Sequence, residues 1–444
     1  MVSKPPNMMP LIDPTHPEHT DELAVRRALS DAFSVCGECR RCIDRCASFP
    51  TLFEMLDASP DADPGDMTPA DQDLVVDGCV HCNLCTSTCP YGPGKHETGL
   101  DVARLMLRAT AMRRENRHTT KATRRAALTM GRATLVGRLA VRLPTAANRI
   151  VGAAPGSMVR SLLARILGVS ARRRLPVFAR EHFSTWFDHR LRITIRRGQR
   201  SVTIVPTCIV EYQKTEIGKD LVKVYERNGV ECAVSGVRCC GAPLLHAGDV
   251  DGFAAVAKKN VKVLAAEIRS GTDVVVSQPG CLSMIRSEYV SYVDDELRSD
   301  AQFVADHSND PAEYLMSVHR SDDAVLDTDF QGDVPNKIAF HSACHLRAMG
   351  IGFEGRDLMR LTGARVEVVQ QCSGIDGIWG LRAGNDEVAR PMGEKFAGRI
   401  GRSNADVFAG DCSLSNDVVA QHTGRVPLHP IEVMARAYGI PVER

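Results

Sequence analysis

Ser201–Cys208 reads SVTIVPTC: a run rich in β-branched residues, a proline that stops it, and a cysteine just beyond. Such residues favour a pleated strand, and a proline cannot extend the ladder. The order then recurs. GVECAVSGVRCCG (229–241) reaches Cys239 and Cys240, and DVVVSQPGC (273–281) reaches Cys281. Further on, KIAFHSACH leads to Cys344, ARVEVVQQCSG to Cys372 and ADVFAGDC to Cys412. Cysteine-to-cysteine intervals are 31 and 42 residues in the first half and 28 and 40 in the second, the mark of an internal duplication.

Helical patterns separate these runs: GKDLVKVYERNG, GFAAVAKKNVKVLAAEIRSG and GRDLMRLTG, several closed by a glycine. Alternating strands and helices predict parallel sheets with crossover helices, and such sheets collect ligands outside the carboxyl ends of their strands. Here every candidate strand brings a cysteine to that end.

One of these loops, VRCCGAPLLHAG (237–248), sets two thiols side by side. Neighbouring Cα atoms lie ~3.8 Å apart, less than the roughly 4.4–6.8 Å of an unstrained disulfide. The pair is either two buried thiols acting as small hydrophobes or two ligands of one metal centre. With Cys208 and Cys281 arriving on neighbouring loops, the first half offers Cys208, Cys239, Cys240 and Cys281, an expected iron–sulfur site with zinc as the alternative. In the second half Ser373 stands where Cys240 stands in the first, leaving Cys344, Cys372 and Cys412, with His345 as a candidate fourth ligand. That site is open between an iron–sulfur cluster, zinc and no metal. Cys232 falls inside a strand pattern and reads as core. GIGFEG (350–355) matches a dinucleotide fingerprint by letter but follows a loop rather than a strand, so it reads as a turn.

Nearer the N-terminus lie CGECRRCIDRC and CVHCNLCTSTCP. Both follow C-x2-C-x2-C-x3-C, the spacing of [4Fe–4S] ferredoxins, in which the fourth cysteine of each run ligates the other cluster. The expected sets are Cys36, Cys39, Cys42 and Cys89 for one cluster and Cys79, Cys82, Cys85 and Cys46 for the other. The second run ends in the usual proline, Pro90, whereas after Cys46 the proline is displaced to Pro50. Tetrahedral zinc needs only four thiolates and does not call for two matched runs. Leu52, Phe53, Leu56, Leu74, Val75 and Val76 predict short helices on either side of an acidic, proline-rich turn. His81, inside the second run, reads as a loop residue because the thiol set is complete without it.

Between Arg108 and Arg200 there are 22 Lys/Arg against three Asp/Glu, whereas the preceding hundred residues are acidic, so the net charge of +1 hides a strong asymmetry. LVGRLAVRL and VRSLLARILGV repeat apolar residues at helical spacing. A basic amphipathic helix packs on the next domain, lies on an anionic membrane face or docks an acidic partner; no nucleic-acid module accompanies the charge, and none is expected to bind. The rest of the composition, 44% hydrophobic and 25% charged over 444 residues, is ordinary for a globular chain of several domains. The first residues lack the apolar core of a secretory signal and no apolar run approaches the ~18 residues of a spanning helix. A cytoplasmic protein with reduced thiols is expected, peripheral on the inner membrane face if the basic segment docks there.

With both halves in view, the chain resembles the CCG-domain, cysteine-rich iron–sulfur oxidoreductases, a family that includes the iron–sulfur subunits of heterodisulfide reductase and of anaerobic glycerol-3-phosphate dehydrogenase. The latter type has the same order: two ferredoxin runs, two CCG repeats and an ending like HPIE, here His429–Glu432. The resemblance implies an α+β multidomain protein: a helical two-cluster ferredoxin domain over 1–107, a basic helical connector over 108–199, and α/β cysteine-rich repeats over 200–330 and 331–444, the second degenerate. It implies two [4Fe–4S] clusters and a third at the first repeat. The family's fifth cysteine, which completes a non-cubane cluster, is replaced by Met284 in the first repeat and Ser415 in the second. No flavin or nicotinamide fingerprint is present. The implied role is an electron-transfer subunit relaying single electrons between a flavoprotein dehydrogenase or other redox protein and a quinone or other acceptor. The alternatives are a disulfide or thiol reductase whose first CCG site is catalytic, and a non-enzymatic metal-binding scaffold.

Overall fold

The computed structural model describes residues 13–14, 16–44, 46–59, 63–119, 121–191, 200–321, 326–375 and 379–442. The N-terminal signal reading, the turn at 60–62 and Arg192, Arg196 and Arg197 of the basic segment lie outside them.

All six strand-then-cysteine runs form strands. The first sheet contains β1 (Arg200–Val205), β2 (Val230–Val234), β3 (Asp273–Val276) and the short β4 (Ser308–Asn309), in the order β2-β1-β3-β4. The second contains β5 (Lys337–His341), β6 (Arg365–Val369) and β7 (Val407–Gly410), ordered β6-β5-β7. Every pairing is parallel: Arg200 lies opposite Val230, Val202 opposite Asp273, Lys337 opposite Arg365 and Ile338 opposite Val407. The matching orders show the duplication as topology. Val202, Ile204, Val274, Val275, Ile338 and Phe340 are fully buried, as expected of strands covered on both faces. Cys232 is buried in β2, as its pattern indicates.

The ends of the two repeats interlock. Helix Thr215–Arg227 packs Leu221 and Tyr225 on Ile431, Met434 and Tyr438 of the C-terminal region. The HPIE ending serves as a helix start. His429 accepts from the Ile431 N–H, and Glu432 accepts from the His429 N–H at 2.7 Å, a reciprocal cap.

The ferredoxin region is helical: Glu22–Cys39, Ser48–Ala58, Pro69–Asp77, Leu84–Thr88 and Val102–Glu115. Leu29, Phe33, Leu52, Phe53, Leu56 and Val75 form its core, with Cys36, Cys46, Cys79 and Cys89 packed against it. Leu74, expected among the apolar anchors, instead faces solvent. This region docks on both repeats. Arg104 donates to the Ser287 carbonyl at 2.7 Å, and the Trp379 indole N–H donates to the Asp77 carbonyl at 2.7 Å.

The basic connector folds into helices Lys121–Gly131, Ala133–Arg142, Pro144–Val151, Met158–Leu167 and Phe183–His189. It is not a free linker. Gly137 lies so close to Tyr212 that a Cβ there would sit 2.4 Å from the ring. Ser170 N–H donates to the Leu381 carbonyl and Ala383 N–H to the Gly168 carbonyl, joining the connector to the second repeat. One face of its helices stays uncovered. Twelve of the eighteen large apolar side chains exposed among the described residues belong to it, including Leu135, Leu139, Met158, Leu162 and Ile166. Arg132, Arg138, Arg142, Arg149 and Arg165 are exposed on or beside the same helices.

Candidate metal centres

Each ferredoxin loop is wound by residues in the left-handed region, which non-glycine side chains seldom occupy. Arg40 (φ 49°) turns the chain after Cys39, while His81 (φ 55°) and Asn83 (φ 59°) turn it between Cys79, Cys82 and Cys85. Cys36, Cys39, Cys42 and Cys89 line one cavity of about 330 Å³, walled by Phe49, Phe53 and Tyr91. Cys46, Cys79, Cys82 and Cys85 line another of about 370 Å³, walled by Val80, Val102 and Met106. The structure thus brings together the two crossed sets that the spacing predicts. Burial, then Cys42, Cys89 and Cys39, push the Cys36 thiol up, and burial, then Cys79, Cys46 and Cys42, push Cys85 well up. The influence of Cys42 on Cys85 places the two sets side by side.

The donors fit a cluster better than a single ion. Zinc with Zn–S near 2.3 Å draws four sulfurs to within about 3.8 Å of one another. Among the described residues no group of three or more His, Cys, Asp or Glu is gathered tightly enough to hold one ion. These thiols instead ring voids with apolar walls. Crowded, buried thiols hold their protons until a strong positive centre replaces them, and iron does so.

In the first repeat, β1 ends just before Thr207, buried and at φ 61°, a strained value for a β-branched residue that swings Cys208 into the rim. After β2, Gly241 (φ 83°) follows the paired cysteines, and a Cβ there would meet Phe253 at 2.9 Å. Its N–H donates to Cys239 Sγ at 3.5 Å. Cys240 and Cys281 Sγ atoms lie 3.1 Å apart, in hydrogen-bond contact, and that contact lowers the pKa of Cys240 and raises that of Cys281. Burial, then Cys239 and Cys240, raise Cys208 well above the usual thiol value. All four predicted thiols line one cavity of about 1460 Å³.

Two residues without a spacing signature brace this loop. Asn260 donates to the Cys239 carbonyl and to Tyr289 Oη, both at 2.8 Å, and Tyr289 donates to the Cys240 carbonyl at 3.0 Å. Met284, in the fifth-cysteine position, is 2% exposed and belongs to the apolar core.

The second repeat reproduces the loop but divides its thiols. Gly374 (φ 64°) matches Gly241, and its N–H donates to Cys372 Sγ at 3.4 Å. Cys344 and Cys372 neighbour Cys82, whose thiol is pushed well up by burial, then by Cys344, Cys46, Cys372 and Cys85. Cys412 lines the first repeat's large cavity, as does His345, whose ring lies beside Gly280. Ser373 and Ser415, which stand where the family pattern has cysteines, are buried and hydrogen-bonded to each other at 2.9 Å. One hydroxyl donates and the other accepts, so the degenerate positions form a structural pair.

His81 is more than a loop residue. It is buried, its Nδ1 lies 3.7 Å from Cys79 Sγ, and its ring packs on His246 with centroids 4.8 Å apart. Burial lowers His81 to about 3 and His246 well below the ordinary imidazole value, so both are neutral. Arg382, lowered to about 10 by burial, donates to the His246 carbonyl at 2.5 Å. GIGFEG begins as a turn, with Gly350 at φ 76° and Gly352 at φ 77°, and its last two residues open helix Glu354–Arg360.

Comparison with known proteins matches this geometry. Residues 35–93 match the 4Fe-4S dicluster domain, and residues 202–286 and 338–414 each match the CCG cysteine-rich domain. The chain carries a 4Fe-4S dicluster domain and two CCG cysteine-rich domains. It is 25% identical over 407 residues to a subunit of the anaerobic glycerol-3-phosphate dehydrogenase of Escherichia coli K12, covering 82% of this chain and 99% of that one. A subunit of the fumarate reductase (CoM/CoB) of Methanothermobacter marburgensis is 26% identical over 235 residues, 51% of this chain and 43% of its own. Lactate utilization protein A of Bacillus cereus is 26% identical over 219 residues, 48% of this chain and 87% of its own.

The serine pair gives a direct test in this CCG-domain protein. Ser373→Ala strands the Ser415 hydroxyl in a buried site and is expected to cost about 1–3 kcal/mol in denaturant unfolding, while the Ser373→Ala/Ser415→Ala double variant costs less than the two singles together. Iron content is expected to stay at the wild-type value in all three. Loss of iron on either single substitution would make the hydroxyls ligands and contradict the structural assignment.

Proposed function

We propose that this CCG-domain protein is the electron-transfer subunit of an oxidoreductase, taking single electrons from a flavoprotein dehydrogenase and passing them to a lipid-soluble acceptor. The observation that carries the reading is the contiguity of the thiol sets. Cys42 neighbours Cys85, Cys82 neighbours Cys344 and Cys372, and His81, between Cys79 and Cys82, packs on His246 in the wall of the first-repeat cavity. Iron–sulfur clusters held by Cys36/39/42/89, by Cys46/79/82/85 and by Cys208/239/240/281 would supply one-electron chemistry. The protein's own part is to hold the centres adjacent inside apolar walls and to tune them through hydrogen bonds to sulfur, as Gly241 N–H makes to Cys239. The relatives' names, a dehydrogenase subunit and a reductase subunit, support a redox partner. A catalytic thiol or disulfide reductase has less support, because the fifth-ligand position is a core methionine.

Two experiments test the proposal. The chain, tagged and isolated anaerobically from its native host, is expected to bring down a flavin-containing polypeptide, and its dithionite-reduced form to be reoxidised by a soluble quinone. Reduction of a disulfide by the isolated chain, with neither flavoprotein nor quinone reoxidation, would favour the catalytic alternative instead.

We also propose that the connector's uncovered face lies on an anionic membrane. No helix of the described residues is long and apolar enough to cross one. Exposed Leu135, Leu139, Met158, Leu162 and Ile166, with arginines alongside, have the composition of an interfacial surface. The wild-type protein is expected to float with anionic vesicles at low salt, and Met158→Glu/Leu162→Glu/Ile166→Glu to lose most of that binding. Flotation equal to wild type in the triple variant would remove this surface from the membrane.

A further inference from the structure

The cavity at the first repeat is far larger than a cluster needs. The same chain shapes its two ferredoxin sites as voids of about 330 and 370 Å³, whereas this one is about 1460 Å³. The 1460 Å³ includes space open to solvent; about 290 Å³ of it is enclosed, against about 20 Å³ at either ferredoxin site, which places it at the lower end of the roughly 300–1,000 Å³ of ordinary small-molecule sites.

Its two walls differ in chemistry. One is built by the basic connector, from Met130, Val136, Val151, Leu167, Leu175 and Phe178. The other carries Cys208, Cys239, Cys240 and Cys281 with His246. Val136 both lines the cavity and is 39% exposed, so the void reaches the surface on the helix that also exposes Leu135 and Leu139. His246 is 2% exposed, and neither of its ring nitrogens has a hydrogen-bond partner among the described residues. A buried imidazole left in that state has lost water without a replacement partner, a cost that a ligand's polar head would offset. An imidazole always has an N–H to donate, and here no group among the described residues receives it.

We propose that this cavity binds a lipid-soluble quinone-class molecule, its apolar tail along the connector wall and a carbonyl oxygen accepting the N–H of His246 beside the first-repeat thiols. The inference rests on the relay reading and adds the acceptor's location. The connector thereby forms the wall of the acceptor site, with its mouth on the uncovered apolar face. An apolar tail satisfies that wall, and a hydrogen-bond-accepting head satisfies the buried imidazole; a free polar anion would do neither.

The test uses the full chain, purified anaerobically in non-ionic detergent, and a naphthoquinone carrying a short photoreactive azidoalkyl tail. Labelling is expected to saturate at one probe per chain and to map by mass spectrometry to peptides containing residues 130–136, 167 and 175–178. Ala133→Trp, which fills the cavity from the connector side, is expected to weaken probe binding at least tenfold. His246→Phe, which removes one buried hydrogen bond, weakens it about tenfold. Wild-type iron content in each variant shows that the fold is intact, and Leu175→Trp replaces Ala133→Trp if that variant loses iron. Label distributed over other surfaces of the wild-type chain, binding within twofold of wild type in the filled variants, or a co-purifying phospholipid acyl chain that the quinone does not displace would each overturn the proposal. The two readings fail separately. Label in the cavity without reoxidation of the reduced chain by quinone sinks the relay and keeps the site, whereas reoxidation with label elsewhere sinks the site and keeps the relay.

Discussion

Thiols crowded together inside apolar walls keep their protons unless something positive is placed among them. Cys82, Cys85 and Cys208 are in that condition, each raised first by burial and then by other cysteines. A fold built this way is poorly satisfied as bare protein, and its loops make sense as holders. The parallel sheets turn cysteines out at their carboxyl ends, and the ferredoxin loops spend unfavourable φ values at Arg40, His81 and Asn83 to curl thiols around a void. Phe49 and Phe53 on one side and Val102 and Met106 on the other give those voids apolar walls.

The domains then matter less as separate units than as a stack. The ferredoxin region rests on both repeats through Arg104 and Trp379, and the connector is joined to the second repeat at Ser170 and Ala383. This packing places Cys82 beside Cys344 and Cys372 and His81 on His246. The second repeat has exchanged two cysteines for a hydrogen-bonded serine pair, yet it still supplies Cys412 and His345 to the first repeat's cavity. A duplicated unit has kept its shape while one copy became the support of the other.

Much of this is legible in the sequence. Six of the seven described strands are short apolar runs that lead to a cysteine loop, so their position and type follow from local preference, whereas β4, only Ser308–Asn309, carries no such pattern. The crossed ferredoxin sets follow from spacing, because three thiols at intervals of three converge on one cluster while the following turn carries the fourth to the other. Other features leave no local trace. Asn260 and Tyr289 brace Cys239 and Cys240 from 21 to 49 residues away. Ser373 and Ser415 meet across 42 residues. His246 belongs to the same loop as the paired cysteines, but only tertiary packing leaves its nitrogens without partners among the described residues. The connector's period reveals helices without revealing which face is covered, and for that reason its part as a cavity wall is visible only in three dimensions. Leu74 departs from expectation for a related reason: apolar identity does not fix the side of a helix as short as Pro69–Asp77.

The central claim is that three four-thiol sets hold clusters rather than single ions or nothing. The most direct measurement is iron, zinc and acid-labile sulfide on the anaerobically purified chain, together with its Mössbauer spectrum. The account predicts about twelve irons and about twelve sulfides per chain, all in tetranuclear clusters. Zinc in place of iron, or iron without sulfide, would contradict it.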